Sequence, residues 1–365
     1  MTSIKEVTDY LESIAPLSLQ ESYDNSGLIV GDHSNEVKGI LIALDCLEEV
    51  IDEAVKQNCN LVITHHPIVF SGLKKLNGKN YVERTIIKAI RNNIAIYAIH
   101  TNLDNVYAGV NKKICDVLGL KNLKVLSPRK NVLRKLVTFC PVNDVEKVRS
   151  ALFEAGGGKI GNYDEASFNI SGTGTFRPLE GANPYIGEIG VQHRESEIRI
   201  ETIFPNHLES QIVAAIRRAH PYEEVAYDIY SLENSNQEVG SGMVGELSTE
   251  MEEMEFLEFL KFSMKSKVIR HSGLFGRKIK RIAVCGGSGS FLLNDAIKEK
   301  ADFFVTADYK YHQFFDAEGR IIIADIGHFE SEQFTMDLLK ELIVRNFSTF
   351  AVRLTELVTN PVHYY

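Results

Sequence analysis

The feature that most restricts the fold of this chain is a strand–helix–strand pattern that occurs near both ends of the sequence. In the first part, short apolar segments alternate with amphipathic ones: GILIALD (39–45), LEEVIDEAVKQN (47–58), NLVIT (60–64), YVERTIIKAIRNN (81–93) and IAIYAIHT (94–101). Strands that alternate with helices form largely parallel sheets, because each helix supplies the crossover that a parallel pair needs. We therefore predict an α/β fold.

The same pattern returns near the other end of the chain. Its segments are KRIAVCGG (280–287), FLLNDAIKEK (291–300), DFFVTAD (302–308) and RIIIADIGH (320–328). The two parts also align by residue, since NLVITHHP matches DFFVTADY, with Thr64 opposite Thr306, and AIYAIHTNLD matches IIIADIGHFE. We predict two pseudo-repeated α/β halves that carry functional residues at equivalent strand ends.

The segment between the two halves has a different character. From Arg134 to Leu232 a β-α-β pattern occurs twice, which is typical of a ferredoxin-like α+β unit. Because related halves lie on both sides, the simplest account is a small domain inserted into a larger one. We predict an insert at 128–240, between a first half at 1–127 and a second half at 241–365.

Composition and charge narrow the class of protein. At 365 residues the chain is long enough for more than one hydrophobic core. A formal net charge of −9 argues against a general nucleic-acid coat, which depends on basic surfaces. No segment approaches the roughly 18 apolar residues of a membrane span, and the N-terminal segment has acids where a signal peptide is apolar. Five scattered cysteines without a CxxC pair indicate reduced thiols. We predict a cytoplasmic protein.

Two adjacent histidines, His65 and His66, directly follow the predicted strand 60–64. A single buried histidine is more often a hydrogen-bonded core residue than a ligand, but strand packing requires neither of these two. Open α/β sheets place their sites at the carboxyl ends of strands, where both histidines lie. Because adjacent side chains diverge, the pair is badly placed to chelate one ion and suits two ions a few ångströms apart.

Two further strand ends carry ligand-type residues. His100 and Asp104 follow the strand 94–101, and His328 and Glu332 lie four residues apart near the start of a predicted helix. If that helix begins at His328, the two side chains share one face. Each residue also has an ordinary interpretation, because Asp104 could cap a turn and Glu332 could stabilise a helix N-terminus.

The combined set is more specific than any part of it. It consists of His65, His66, Asp104, His328 and Glu332. Five nitrogen and oxygen ligands are too many for one structural zinc, which closes with four. They fit two divalent metal ions with a bridging carboxylate and a bridging water. Imidazole and carboxylate ligands accept zinc, and also manganese, iron or nickel.

The chain resembles the Nif-three-like family of dinuclear metal proteins, which are often labelled GTP cyclohydrolase type 2 homologs. The resemblance is carried by ESYDNSGLIVGD (21–32), ALD (43–45), ITHHPIVF (63–70), HTNLDN (100–105), GGSGS (286–290), TADYKYHQ (306–313) and GHFESE (327–332). In the middle of the chain, PVNDVEKVRSAL, GGGKIGNYDEASF and HPYEEVAYDIY resemble the PII/CutA-like insert of the longer bacterial members.

The resemblance implies roles for the site residues. His65 and His66 would bind different metals, Asp104 would join one site and His328 the other, and Glu332 would bridge them. It also implies a Nif-three-like fold and a ring-shaped homohexamer, a trimer of dimers, whose sites face an interior cavity.

Two metals that share a water predict hydrolysis of some kind, because they deliver hydroxide at neutral pH. The resemblance implies attack on the imidazole ring carbon of GTP with loss of formate. His100 or His312 could then donate a proton, and GGSGS or Lys310 could contact phosphate. The alternative is a non-catalytic, metal-stabilised ring that senses a small effector or binds nucleic acid, so the sequence leaves enzymatic activity open.

Overall fold

The structure, a computed structural model, describes residues 2–365. The chain divides into two compact units, of which the larger comprises the residues up to Ser127 together with Val239–Tyr365 and the smaller is Pro128–Glu238. The smaller unit therefore ends two residues before the predicted boundary of 128–240. In the described part of the chain, no helix is long and apolar enough to cross a membrane.

The helices and strands are numbered along the chain. Before the smaller unit come α1 (Ile4–Ile14), β1 (Gly27–Val30), β2 (Gly39–Ala43), α2 (Glu48–Lys56), β3 (Leu61–Thr64), α3 (Tyr81–Arg91), β4 (Ala95–Ala98), α4 (Thr101–Asp104), α5 (Val110–Val117) and β5 (Lys121–Arg129). The smaller unit contains β6 (Leu133–Pro141), α6 (Val145–Glu154), β7 (Phe168–Phe176), β8 (His193–Pro205), α7 (Glu209–Ala219) and β9 (Tyr227–Leu232). After them come β10 (Asn236–Glu252), α8 (Glu253–Ser263), β11 (Arg270–His271), β12 (Lys278–Ser288), α9 (Leu293–Lys298), β13 (Phe303–Ala307), β14 (Ile322–Asp325), α10 (His328–Glu332), α11 (Thr335–Asn346) and β15 (Ala351–Leu354).

The larger unit contains two sheets that share the arrangement of three central parallel strands with an antiparallel strand at one edge. The first has the order β1-β4-β3-β2-β15, with β15, β2, β3 and β4 parallel and β1 antiparallel at the edge. The second has the order β11-β14-β13-β12-β10-β5, with β12, β13 and β14 parallel and β11 antiparallel beside β14. The strands β3 and β13 hold the same central position, so Thr64 and Thr306 lie at equivalent places, as the sequence alignment predicts. The predicted α/β fold class is confirmed.

One hydrophobic core joins the two sheets of the larger unit. Buried side chains from β2, β3 and β4 share this core with those from β12, β13 and β14, together with residues of α1, α5, α8 and α11. The opposite face of the first sheet is covered by α2 and α3, and that of the second sheet by α9. Strands buried on both faces explain the nearly continuous apolar runs seen in the sequence.

The smaller unit has a four-stranded sheet of order β7-β8-β6-β9 in which all neighbours are antiparallel. Its element order is β-α-β-β-α-β, the ferredoxin-like arrangement predicted from the sequence. The helices α6 and α7 pack their apolar faces against β6 and β8 in a separate core. The likeness to PII and CutA proteins stays a prediction.

Some predicted elements differ in length from the observed ones. The strand predicted at 94–101 ends at Ala98, because the chain turns there into α4. Asp24 stabilises this turn by accepting hydrogen bonds from the backbone N–H and the hydroxyl of Thr101. The helix predicted at 291–300 is reduced to α9, preceded by a 3₁₀ turn at Ser290–Leu292.

Replacing Gly109 by alanine should destabilise the larger unit by about 1–3 kcal/mol, the usual cost of overpacking. A Cβ at Gly109 would lie 1.8 Å from the carbonyl oxygen of Leu103, so the connection between α4 and α5 would have to move. Chemical denaturation measures the loss. Gly72→Ala is the matched control, because nothing lies within 4 Å of a Cβ at Gly72. Equal stability of the two variants would contradict this account of the turn.

Candidate metal centre

The carboxyl ends of strands from both sheets bring the five predicted ligands together. His65 and His66 directly follow β3, and Asp104 is the last residue of α4. His328 and Glu332 are the first and last residues of α10, so the predicted helix does begin at His328. They lie at a cavity of about 1350 Å³ whose lining includes all of them except the fully buried His65.

Glu332 lies between two groups of ligand atoms and directs one oxygen to each. Its Oε2 is 3.0 Å from Nε2 of His66 and 3.1 Å from Nε2 of His328. Its Oε1 is on the side of His65, 3.9 Å from that ring's Nε2, and the same Nε2 is 3.6 Å from Oδ1 of Asp104. The carboxylate of Glu332 is therefore shared by a His66–His328 group and a His65–Asp104 group.

Two buried polar atoms in this cluster lack a hydrogen-bond partner in the described part of the chain. They are Nε2 of His65 and Oδ1 of Asp104. An unsatisfied buried polar atom costs about 1–3 kcal/mol, so such atoms are rare and call for an explanation. A nitrogen and an oxygen at this separation, each with a free lone pair, fit a cation between them.

The other ring nitrogen of each histidine is already hydrogen-bonded. The Nδ1 contacts are His65 with the Ile99 carbonyl at 2.9 Å, His66 with Asp45 at 2.7 Å, His100 with Asp24 at 2.8 Å and His328 with Asp308 at 2.6 Å. Since each partner is an acceptor, each Nδ1–H donates and Nε2 is left for the interior of the site. This is the usual support for a metal-binding imidazole.

Carboxylates raise the pKa of two of these imidazoles. Burial alone would lower the pKa of His66, but hydrogen bonds to Asp45 and Glu332 outweigh it and raise the pKa to about 9. For His328, burial is likewise outweighed by Asp308 and Glu332, and the pKa rises to about 11. Without a metal, the carboxylates therefore favour the positively charged form of both rings at neutral pH.

The remaining groups respond to burial in the expected direction. Burial lowers the pKa of His65 to about 3, so this ring is neutral. Burial and the charge of Glu332 raise the pKa of Asp104 well above its usual range. Burial would also raise the pKa of Glu332, but hydrogen bonds from His328 and His66 hold it well below the usual range. A buried carboxylate kept charged beside a neutral imidazole is an arrangement suited to a cation.

His100, which the sequence predicts to be a proton carrier, lies close enough to the cluster to be a ligand. Ligand atoms of His65, His66 and His100 lie within 4.8 Å of one another, as do those of His66, His328 and Glu332. His100 also lines the cavity. The geometry therefore allows His100 either to carry a proton or to bind a metal.

The structure keeps His312 apart from these residues. It lies exposed in a 3₁₀ turn at Tyr311–Ala317 and is not part of the cavity lining, and neither is Lys310. Asp308, from the same sequence motif, does reach the site through its hydrogen bond to His328. The predicted catalytic role of His312 stays a prediction.

The glycine-rich segment 286–290 has little capacity left to bind an anion. Three of its backbone N–H groups already donate to side-chain oxygens: Gly286 to Asn111, Gly287 to Ser331 and Gly289 to Thr306. Gly287 has a φ of +62°, and a Cβ there would lie 2.4 Å from Oε1 of Glu332. The segment therefore leaves room for the Glu332 carboxylate, which favours a structural turn here over the predicted contact with phosphate.

Sequence reasoning assigned no role to Asp24, Asp45 or Thr359. Asp45 follows β2, and its position beside the end of β3 could have suggested contact with His66. Asp24 lies in the loop before β1 and Thr359, which donates to Asp45 at 2.7 Å, lies near the end of the chain. Asp24 lies in the motif at 21–32, but nothing in that motif indicates His100 as its partner, and Thr359 lies in none of the motifs.

Comparison with known proteins agrees with this architecture. The chain matches the Duf34/NIF3 (NGG1p interacting factor 3) family over residues 2–361. Proteins named GTP cyclohydrolase 1 type 2 homolog from Bacillus subtilis and Halalkalibacterium halodurans are 36% and 39% identical to it, covering 98% of this chain and 97% and 96% of theirs. A Bacillus cereus protein related to NIF3 has a crystal structure with a TM-score of 0.87 at 38% identity, covering 100% of this chain and 99% of that one. A Staphylococcus aureus structure has a TM-score of 0.79 at 30% identity, with the same coverage. The predicted resemblance is confirmed, and the chain belongs to the Duf34/NIF3 family.

Proposed function

We propose that this protein binds two divalent metal ions per subunit and uses them to hydrolyse a nucleotide-like substrate. The observation that carries the proposal is the position of Glu332, whose two oxygens face two separate groups of ligand atoms. The unpartnered Nε2 of His65 and Oδ1 of Asp104 support a cation on one side. On the other side, Nε2 of His66 and Nε2 of His328 are 3.3 Å apart, a separation that a shared cation would stabilise.

The donor set fits divalent metals that accept both nitrogen and oxygen, of which zinc is the first candidate and manganese, iron and nickel are others. His65 and Asp104 would hold one ion, His66 and His328 the other, and Glu332 would bridge them. Two such ions would supply hydroxide at neutral pH and would offset negative charge on the attacked group. The hydrogen bonds to Nδ1 fix the orientation of each ring before any ion binds.

The proton for a leaving group is best assigned to His100. Its Nδ1–H donates to Asp24 at 2.8 Å, which leaves Nε2 for the cavity. Its ring centre lies 5.3 Å from that of His66 and 5.2 Å from that of His65, so a proton at Nε2 would be close to the reacting atoms. Histidine is the side chain that most often transfers a proton in this way.

The names of the relatives make GTP the first substrate to test, but the cavity lining limits how phosphate would bind. Among the described lining residues Arg270 is the one arginine or lysine, and it is paired with Asp325. Carboxylates are numerous in the same lining. Positive charge for a phosphate group would therefore come mainly from the metals.

We further propose a homohexamer, which rests on the resemblance stated above. Size-exclusion chromatography with light scattering tests it, and a monomer or dimer at micromolar concentration contradicts it.

A second candidate function is a metal-stabilised ring that senses a small effector. The observation favouring it is the cavity within the smaller unit, which contains no residue of the metal cluster.

Metal counting tests the proposed site directly. The metal-stripped protein should take up two zinc ions per chain in a titration monitored by mass spectrometry of bound metal. His65→Ala and His66→Ala should each lose one ion, and Glu332→Gln should lose both, because its carboxylate contributes to both groups. His312→Ala is the matched control and should retain two. A single ion in the unmodified protein, or two in Glu332→Gln, would contradict the bridging role.

The stability of the metal-free protein should fall as the pH rises above neutrality. The pKa values of His66 and His328 are raised from 6.5 to about 9 and 11, so the stabilisation from their protonation is full below pH 6.5 and disappears as the pH passes through those values. The pKa of His65 is lowered to about 3, so the stabilisation from its neutral form is full above pH 6.5 and is lost as the pH falls towards 3.

Thermal unfolding in a chelator should therefore show a melting temperature that decreases between pH 7 and pH 9. With saturating zinc the decrease should vanish, because metal binding requires neutral imidazole and strengthens as the pH rises. His66→Gln should flatten the dependence in the chelator. A metal-free melting temperature that increases over this range would contradict the assigned protonation states.

Formate release from GTP tests the hydrolase. Zinc-loaded protein should produce formate, and Glu332→Gln should reduce the rate at least about 100-fold, since two-metal stabilisation is lost. His100→Gln should reduce kcat about 100-fold or more while retaining both metals, and loss of a metal would instead identify His100 as a ligand. If formate is absent with every metal tested while the hexamer and metal content are intact, the cyclohydrolase reaction is wrong.

A further inference from the structure

A second cavity, of about 690 Å³, lies within the smaller unit. On β8, Ile198 and Ile200 pack into the core under the helices, whereas Glu197 and Arg199, which alternate with them, line the cavity. The cavity is therefore on the helix-free face of the sheet. The segment 177–186 supplies further lining residues. A volume of this size is typical of small-molecule sites, which span about 300–1,000 Å³.

A buried carboxylate lies at the floor of this cavity. Glu197 is only 8% exposed, and in the described part of the chain its one hydrogen bond is from the Tyr222 hydroxyl, at 2.9 Å to Oε1. Its Oε2 lies over β7, where a Cβ at Gly174 would stand 2.0 Å from it. A carboxylate can accept about four hydrogen bonds, so one donor leaves most of its acceptor capacity unused.

Three cationic side chains near this carboxylate pair with other glutamates. The guanidinium of Arg199 pairs with Glu201 at 2.8 Å, and Lys135 pairs with the same carboxylate at 3.0 Å. His193, closer to the cavity, pairs with Glu195 at 2.9 Å. Arg177 also lines the cavity, but no ion pair joins Glu197 to a cation in the described part of the chain, so its carboxylate is open to a cation from outside.

Aromatic rings gather beside this carboxylate. The rings of Phe176 and Tyr222 have centroids 5.8 Å apart, and those of Tyr185 and Tyr222 are 6.3 Å apart. All three residues line the cavity. Ring faces attract cations, and several rings around an ammonium group are the common way in which proteins bind organic cations.

The sequence HPYEE (220–224) holds these parts in position. His220 donates from Nε2 to the Phe139 carbonyl at 2.9 Å, and its Nδ1 accepts from the backbone N–H of Tyr222 at 3.1 Å. The carboxylate of Glu223 accepts from the backbone N–H of Asn183 at 2.9 Å, which ties the segment 177–186 to this turn. The motif thus fixes both the tyrosine of the ring group and the segment beside it.

We propose that this cavity binds an organic cation, with a primary or quaternary ammonium group between Glu197 and the rings and an apolar body against the remaining lining. The charged lining groups are three acids (Glu197, Glu223 and Glu224) and two bases (Arg177 and Arg199), so acidic groups are in excess by one. The proposal does not depend on the metal centre or on its reaction.

A set of matched probes tests it on the full-length protein saturated with zinc. Choline and 3,3-dimethylbutylamine carry a quaternary and a primary ammonium group, and 3,3-dimethylbutan-1-ol is a neutral compound of the same shape. Isothermal titration calorimetry should show saturable binding of at least one cation, and at least about tenfold weaker binding of the neutral alcohol, as expected for contacts with a buried carboxylate and rings.

Variants locate the binding. Glu197→Gln and Tyr222→Leu should each weaken the cation at least about tenfold, and Gly174→Ala should weaken it by displacing the carboxylate. Tyr230→Leu is the matched control, because Tyr230 is an exposed tyrosine on β9 outside the cavity lining. Melting curves show which variants fold. If Glu197→Gln does not fold, Gly174→Ala still tests the role of the carboxylate.

Several results would overturn the proposal. These are no saturable binding of either cation at millimolar concentration, equal binding of the neutral alcohol, or unchanged binding after both Glu197→Gln and Gly174→Ala. Loss of cation binding in His66→Ala would do the same, because it would place the cation at the metal centre.

Discussion

The larger unit depends on one buried carboxylate, Glu332. It belongs to α10, which follows the second sheet, yet its oxygens are directed to imidazoles that follow the first sheet. Burying a charged carboxylate is costly unless it is paired, and here the pairing comes from His66 and His328 in the absence of metal. The two pseudo-repeated halves are therefore joined at their functional edge by electrostatics, in addition to the hydrophobic core that they share.

The two pseudo-repeated halves share the order of their central strands but carry different functional residues at equivalent strand ends. The end of β3 carries His65 and His66, whereas the equivalent end of β13 is followed by Asp308, which adopts a φ of +58°. Asp308 contributes a hydrogen bond to His328 rather than a ligand atom of its own. The first half thus supplies two imidazoles at the end of β3. The second half supplies His328 after β14, the strand that follows β13, and also Asp308, which orients the His328 ring.

Much of this arrangement could be predicted from the sequence, for identifiable reasons. The apolar strand runs and the alternation of strands with helices predict the sheets, and parallel strands bring their carboxyl ends to one edge. That is why His65, His66 and Asp104 could be grouped before the structure was known. The four-residue spacing of His328 and Glu332 likewise depends only on helix geometry.

The remaining features depend on contacts between distant parts of the chain. Asp24 supports His100 across 76 positions, and Thr359 supports Asp45 across 314. No periodicity or local motif encodes such a pairing. His312 illustrates a different difficulty. It lies in the motif TADYKYHQ, but this segment forms a 3₁₀ turn in which His312 is exposed. Local patterns therefore identify ligand atoms at strand ends better than the residues that orient them.

The protonation states of the metal centre explain how the metal-free fold tolerates so much buried charge. Carboxylates favour the charged form of His66 and His328 beside Glu332, whereas burial favours the neutral form of His65 and of Asp104. In the proposed centre, an ion between His66 and His328 would therefore displace protons from these rings. An ion between His65 and Asp104 would instead displace a proton from Asp104, whose pKa burial raises. The two proposed positions would consequently differ in affinity, and their difference would depend on pH.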